Sequence, residues 1–177
     1  LIVSPGTCYL PPDIADGARV FGLASHLYSL RHNGSEGIGD FTTLKHFAAM
    51  AEKAGGRYAG LNPLHHLFPS DRSRASPYQP SDRRFVDPIY ISIVDLLTRF
   101  DLPKARALAA QSRAAFAGLD ALPNVDYAAV WAAKSAILEQ AFADFGGSAE
   151  FYAFMRDGGA PLFSHGLFES QRMKEDF

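Results

Sequence analysis

Arg19-Val20-Phe21-Gly22-Leu23-Ala24-Ser25-His26-Leu27-Tyr28, then Asp40-Phe41-Thr42-Thr43-Leu44, then Tyr58-Ala59-Gly60-Leu61-Asn62-Pro63-Leu64 are the stretches that decide the fold. The first is apolar on both faces, as expected of a parallel strand covered on both sides rather than an alternating antiparallel one. A polar, glycine-rich loop follows, from Arg31 to Gly39. Asp40 is placed to cap a helix from Phe41 to about Ala54, because its short carboxylate reaches the orphan amides of the first turn. Leu44, Phe47, Ala48, Ala51 and Ala54 recur at three- and four-residue spacing and define the buried face of that helix. Gly55-Gly56 ends it by supplying positive φ. Tyr58 to Leu64 is a second apolar strand. Strand, loop, amphipathic helix and strand make a βαβ unit, which predicts parallel pairing with a right-handed crossover.

Outward from this unit the chain changes character twice. Residues 1–19, punctuated by Pro5, Gly6, Pro11, Pro12 and Gly17, read as a short strand and an extended linker from a preceding region. The opening on Leu1-Ile2-Val3 without Met is read as an internal start. Residues 65–88 carry four prolines and read as a long irregular loop, the kind that often holds function. Ile89 to Ile93 reads as a short strand-like run, with Val94 to Phe100 turning into helix. From Lys104 the composition is alanine-rich and helical, with helices expected near 104–117, 126–145, 148–157 and 160–173. Their separators are Gly118, Leu122-Pro123, Gly146-Gly147 and Gly158-Gly159, and Pro161 suits a first turn. The expected organisation is a linker over 1–19, a βαβ start with a long rim loop over 20–100, and a helical subdomain over 101–177.

Composition narrows the function classes. The chain has 177 residues, 47% of them hydrophobic, and a formal net charge of −2. Near-neutral charge gives no footprint for nucleic acid or an anionic membrane. No apolar run reaches the length that spans a bilayer, and the start lacks the basic region of a signal peptide. The single cysteine, Cys8, excludes an internal disulfide and fits a reducing cytoplasm. Cys8 has no second ligand at metal spacing and reads as a buried, inert thiol. Adjacent His65 and His66 point to opposite faces of a strand and do not chelate together, so no metal site is expected. His26, inside an apolar strand, reads as a hydrogen-bonded core histidine. Asp71-Arg72-Ser73-Arg74 and Arg83-Arg84 read as loop ion pairs. Phe142, Phe145, Phe151, Phe154, Phe163 and Phe168 read as a helical core stripe.

Three motifs carry a family resemblance: Leu27-Tyr28-Ser29-Leu30-Arg31 leading into Gly37-Ile38-Gly39-Asp40-Phe41; Gly60-Leu61-Asn62-Pro63-Leu64-His65; and Ala75-Ser76-Pro77-Tyr78-Gln79-Pro80 with Arg83-Arg84-Phe85. In this order and spacing the chain resembles the amylomaltases, the 4-α-glucanotransferases related to the α-amylase clan. Within them it is similar to the bacterial subgroup with an extra N-terminal β-sandwich region. The resemblance implies a (β/α)8 barrel that moves α-1,4-glucan segments between maltodextrins by a retaining double displacement, without a cofactor. It implies an Asp nucleophile, a Glu acid/base and a stabilising Asp on later strands, so that this chain holds no catalytic carboxylate. A complete barrel needs roughly 250 residues, so the expected fold class is α/β: an incomplete TIM-type barrel, its first parallel strands, with a mostly helical insertion.

Carried over by position, Tyr78 is the tyrosine that packs against a donor sugar, and Ser76 supports its loop. Asn62 stands at the strand rim as a sugar contact or a backbone tie. Asp40 is the aspartate after the first strand, with helix capping as its competing role. The sequence departs from the subgroup at four positions. His26 replaces a Gln, Glu36 a Trp, Asp82 a Ser, and Asp87 the Asn before Pro88; these bear on loop conformation and glucan preference. The implied partners are α-1,4-glucans. A non-catalytic maltodextrin-binding piece is the alternative, as is a fragment that self-associates through exposed strand edges.

Overall fold

The computed structural model describes residue 6 and residues 8–175. A single turn of helix, α1 (Pro12–Ala15), stands where an extended linker was expected, started by Pro12 in the first turn. The strand expected before it lies outside the described residues. Strand β1 (Gly22–Ser25) and strand β2 (Tyr58–Leu61) pair in parallel, with Gly22 opposite Tyr58 and Ser25 opposite Leu61. Between them runs helix α2 (Phe41–Lys53), which packs on β2. The βαβ unit is therefore present, but both strands are shorter than the apolar runs suggest. Beyond Ser25 the chain leaves the sheet and turns through a 3-10 helix at Leu27–Ser29. His26 lies past the strand end and is exposed, stacked on Tyr28 at 5.2 Å, so it is no core histidine. β1 and β2 are only partly buried, because α2 covers one side of a two-stranded sheet; Phe21 and Tyr58 beside them are exposed.

The residues after β2 are more regular than their prolines suggest. Strand β3 (His65–His66) and strand β4 (Asp82–Val86) form a short antiparallel pair, and the irregular segment is the connection between them. The strand-like run at 89–93 is instead a 3-10 helix (Pro88–Tyr90) followed by helix α3 (Ile93–Arg99). Asp87 accepts the Ile89 N–H at 2.9 Å and Pro88 takes the first turn, so local capping overrides the β propensity of the isoleucines.

Helices α4 (Pro103–Gln111) and α5 (Arg113–Asp120) replace the one helix expected over 104–117; they part at Ser112, and Gly118 lies inside α5. Helix α6 (Tyr127–Asp144) starts at Asp126, whose carboxylate accepts the Ala129 N–H at 2.9 Å. Asp144 at the other end of α6 accepts the Lys104 and Ala105 N–H groups at 2.8 and 2.9 Å, capping α4 across space. Helix α7 (Ala149–Glu175) is broken at Gly159, whose φ of +50° and ψ of −144° no helix contains. The two halves correspond to the two helices read from the sequence.

Two apolar clusters hold these parts together. Ile93, Leu97, Leu102, Ala105, Phe116 and Ile137 join α3 to α6. Leu27, Ile38, Ile89, Tyr90 and Val130 join the ends of the βαβ unit to α6. Close approach in the second cluster demands glycine: a Cβ on Gly39 would stand 1.9 Å from the Leu27 carbonyl oxygen. The phenylalanine stripe is not core. Phe142, Phe154, Phe163 and Phe168 are exposed, and only Phe145 and Phe151 are partly covered, stacked edge to face at 5.5 Å. Cys8 is exposed too, against the burial expected of a lone thiol. Among the described residues no helix is long and apolar enough to cross a membrane.

Candidate functional site

The C-terminal ends of β1 and β2 and the segments that leave them form one polar rim. Asn62, the first residue after β2, is buried; its Oδ1 accepts the Leu27 N–H at 2.7 Å and its Nδ2 donates to the Pro63 carbonyl at 2.8 Å. It thus ties the departures of the two parallel strands together. Tyr90 is buried, and that burial pushes its phenol up to about 12. Burial also raises the phenol of Tyr127, which tilts against Tyr28 at 6.2 Å.

Asp40 forms a reciprocal cap. Its Oδ1 accepts the Thr43 N–H at 2.8 Å and the Thr43 hydroxyl at 3.0 Å, while the Thr43 Oγ1 accepts the Asp40 N–H at 3.2 Å. At 1% exposure its carboxylate is sealed at the start of α2, the capping role weighed for it from sequence.

Glu36 is buried in the glycine-rich loop. Its Oε1 accepts the Ile93 N–H at 3.0 Å and the Val94 N–H at 3.3 Å, and its Oε2 lies 2.8 Å from the Lys134 ammonium. That ammonium is fully buried and approaches without hydrogen-bond alignment, so the contact is one of charge. Glu36 therefore joins the loop, α3 and α6. The same loop is held at Arg31, whose Nη1 donates to the Asp120 carbonyl at the end of α5 at 2.5 Å and to the Leu122 carbonyl just beyond it at 2.9 Å. A cation suits the negative end of a helix.

Asp87 anchors the connection between β3 and β4. It accepts the Leu67 N–H at 2.8 Å, the Ile89 N–H at 2.9 Å and Arg72 Nη1 at 2.8 Å, all fully buried. The Arg72 guanidinium carbon lies over the ring of Trp131 in α6, 4.1 Å from its centre. Sequence reading placed Arg72 among loop ion pairs without naming Asp87 as its partner or its burial. The signal it passed over was Asp87-Pro88, an acceptor set just before a proline-started turn. At the surface Arg84 donates to both oxygens of Asp82 at 3.1 and 2.7 Å, holding that carboxyl well below the usual range.

From this anchored base the segment 75–80 reaches outward. The Gln79 N–H returns to the Ser76 carbonyl at 3.2 Å, closing a turn with Pro77 and Tyr78 at its centre. Tyr78 is 62% exposed, and its side chain makes no hydrogen bond, ion pair or ring contact among the described residues. Ser76 is exposed beside it. Next to this turn an open cleft of about 550 Å³ is lined by Arg72, Ser73 and Ala75 on one side and Asn124, Asp126 and Tyr127 on the other. A larger groove, about 900 Å³, lies elsewhere, between α3, α6 and α7, and is almost wholly apolar. It suits packing rather than sugar hydroxyls.

The structure thus brings Asn62 to the rim and Ser76 and Tyr78 to one turn, and places Asp40 at the start of α2. Each buried carboxylate among the described residues, Glu36, Asp40 and Asp87, is occupied by backbone donors or a buried cation.

The 4-alpha-glucanotransferase family profile matches residues 25–177. A 4-alpha-glucanotransferase of Haemophilus influenzae is 32% identical over 189 residues, covering 99% of this chain and 26% of that protein. One from Mycobacterium tuberculosis is 38% identical over 146 residues, covering 78% of this chain and 20% of its own length. The crystal structure of amylomaltase from Corynebacterium glutamicum superposes with a TM-score of 0.79 at 27% identity, covering 92% of this chain and 24% of that one. The chain therefore spans about a quarter or less of the relatives it matches. Its sequence, and a fold shared over nine-tenths of its length, agree: the chain belongs to the 4-alpha-glucanotransferase family.

Proposed function

We propose that this chain supplies the first parallel strands and the donor-side rim of a (β/α)8 barrel. The parent enzyme transfers α-1,4-glucan segments between maltodextrins by a retaining double displacement. The observation that carries this reading is Tyr78: an exposed, unpartnered phenol at the tip of a turn whose base is fixed by the buried Arg72–Asp87 pair. An aromatic face covers the C–H face of a pyranose while the hydroxyl bonds a sugar oxygen. A platform held on a rigid base loses little freedom when it binds. In this reading Ser76 supports the turn, Asn62 fixes the rim between the two strands, and Asp40 orients the segment entering α2.

Double displacement requires two carboxyl groups ~5 Å apart, one free to act as nucleophile and one to shuttle a proton. The occupied states of Glu36, Asp40 and Asp87 support placing those groups beyond these 177 residues. The chain alone is then a glucan-contacting piece without turnover.

Titration calorimetry with maltoheptaose tests the platform. Weak saturable heat that disappears in Tyr78→Ala, with the far-ultraviolet spectrum unchanged, is expected. Equal heat in both proteins would remove Tyr78 from the glucan site.

A further inference from the structure

The second half of α7, beyond the break at Gly159, meets the β3–β4 connection at both of its ends. At the far end, the Ser81 hydroxyl donates to Glu169 Oε1 at 2.8 Å, and His165 stacks on Phe85 at 4.2 Å with its Nδ1 3.5 Å from Asp82. At the near end, Glu169 Oε1 lies 3.6 Å from His66 Nε2, and the Arg172 guanidinium covers the ring of Phe68 at 4.9 Å. The same ring carries Arg74 at 3.5 Å. His66 and His165 meet edge to face at 4.7 Å, so the two ends are in contact through α7 residues. The turn bearing Ser76 and Tyr78 lies between these fixed points.

We propose that Glu169, with His165 and Arg172, is a positioning group for the Tyr78 turn: α7 clasps the segment 67–81 at its base and so sets how Tyr78 is presented. The inference rests on the reading of Tyr78 given above. Glu169 does not touch the sugar. It acts by bracing the base of a segment that the Ser81 N–H to His66 carbonyl bond already closes: it accepts the Ser81 hydroxyl and lies 3.6 Å from His66 Nε2, which leaves the remaining freedom at the tip.

The test compares hydrogen exchange and maltoheptaose binding in the whole chain, using Glu169→Ala, Glu169→Gln and Phe163→Ala. Glutamine keeps an oxygen for the Ser81 hydroxyl, and Phe163 is an exposed residue on the same half-helix. The Ser81 N–H, bonded to the His66 carbonyl at 2.9 Å, and the Leu67 N–H report the two ends of the clasp. Expected is exchange at both amides faster by roughly tenfold or more in Glu169→Ala, with glucan affinity weakened several-fold, the range of one lost buried hydrogen bond. Glu169→Gln should restore both, and Phe163→Ala should leave both unchanged, with α6 amides protected throughout. Unchanged exchange in Glu169→Ala overturns the clasp. Faster exchange with unchanged, Tyr78-dependent binding overturns the positioning of Tyr78 while the glucan reading stands. Binding that is absent or independent of Tyr78 in the unaltered chain sinks the glucan reading, and the positioning role with it; the exchange arm still decides the clasp itself.

Discussion

Replacing Asp87 by Asn should destabilise this chain. The side chain is fully buried and gathers three donors, the Leu67 and Ile89 N–H groups and Arg72 Nη1. An amide is nearly isosteric and keeps one oxygen for those donors, but it removes the charge that faces Arg72. The guanidinium has 3% side-chain exposure, and its Nε and Nη2 have no hydrogen-bond partner among the described residues. The carboxylate is thus its main compensation besides the Trp131 face. Breaking a buried pair from one side costs about 3–5 kcal/mol, because the remaining charge stays desolvated. That is a large part of the roughly 5–15 kcal/mol by which domains are stable. Arg72→Met should cost less, since Asp87 keeps its two backbone donors. In the double variant the losses should fall short of their sum by about 1–3 kcal/mol. Urea unfolding followed by far-ultraviolet dichroism gives the free energies. Fluorescence of Trp131, the only tryptophan, reports whether the stacked guanidinium has left. An Asp87→Asn cost under about 1 kcal/mol, the range of an exposed pair, or strictly additive losses, would refute the reasoning.

Two further expectations follow from burial and exposure. The phenol of Tyr90 is raised to about 12, whereas an unfolded tyrosine ionises near pH 10. Between those values the unfolded chain has lost a proton that the folded one keeps, so stability should fall as pH rises, by up to about 1.4 kcal/mol per unit. Tyr90→Phe should reduce that slope by the share of one phenol, leaving the share of Tyr127, which burial also raises; an unchanged slope would assign it elsewhere. Exposed Phe21 and Tyr58 beside a two-stranded parallel sheet should make the chain self-associate. Sedimentation velocity should show the sedimentation coefficient rising with concentration and the rise reduced in Tyr58→Lys; a clean monomer throughout would count against it.

The parts of this molecule legible in the sequence are those governed by neighbours in the chain. Asp40 three residues before Thr43, Gly55 after the last turn of α2, and Asp126 before α6 all act within one turn, and each performs the capping or stopping role its type predicts. The parallel pairing of β1 with β2 follows from the same local pattern. What was hidden depends on partners far along the chain. His66 and Asp82 could not be paired into a hairpin from their own residues, and Arg72 finds Asp87 rather than its neighbour Asp71. Glu36 meets Lys134 across nearly a hundred residues of sequence. The aromatic side chains misled for a different reason. Phe142 and Phe163 have helical spacing and a large apolar area, which favour burial, yet both face outward in this chain. At the candidate site, Tyr78 was visible as part of a motif, whereas the buried pair that steadies its loop was not.

The most direct measurement is incubation of the pure chain with maltotriose, with the products separated by chromatography. The account predicts no glucose and no maltopentaose above the blank, because it assigns the nucleophile and the acid/base to residues outside this chain. Reproducible formation of both products by the chain, at a rate proportional to its concentration, would contradict it.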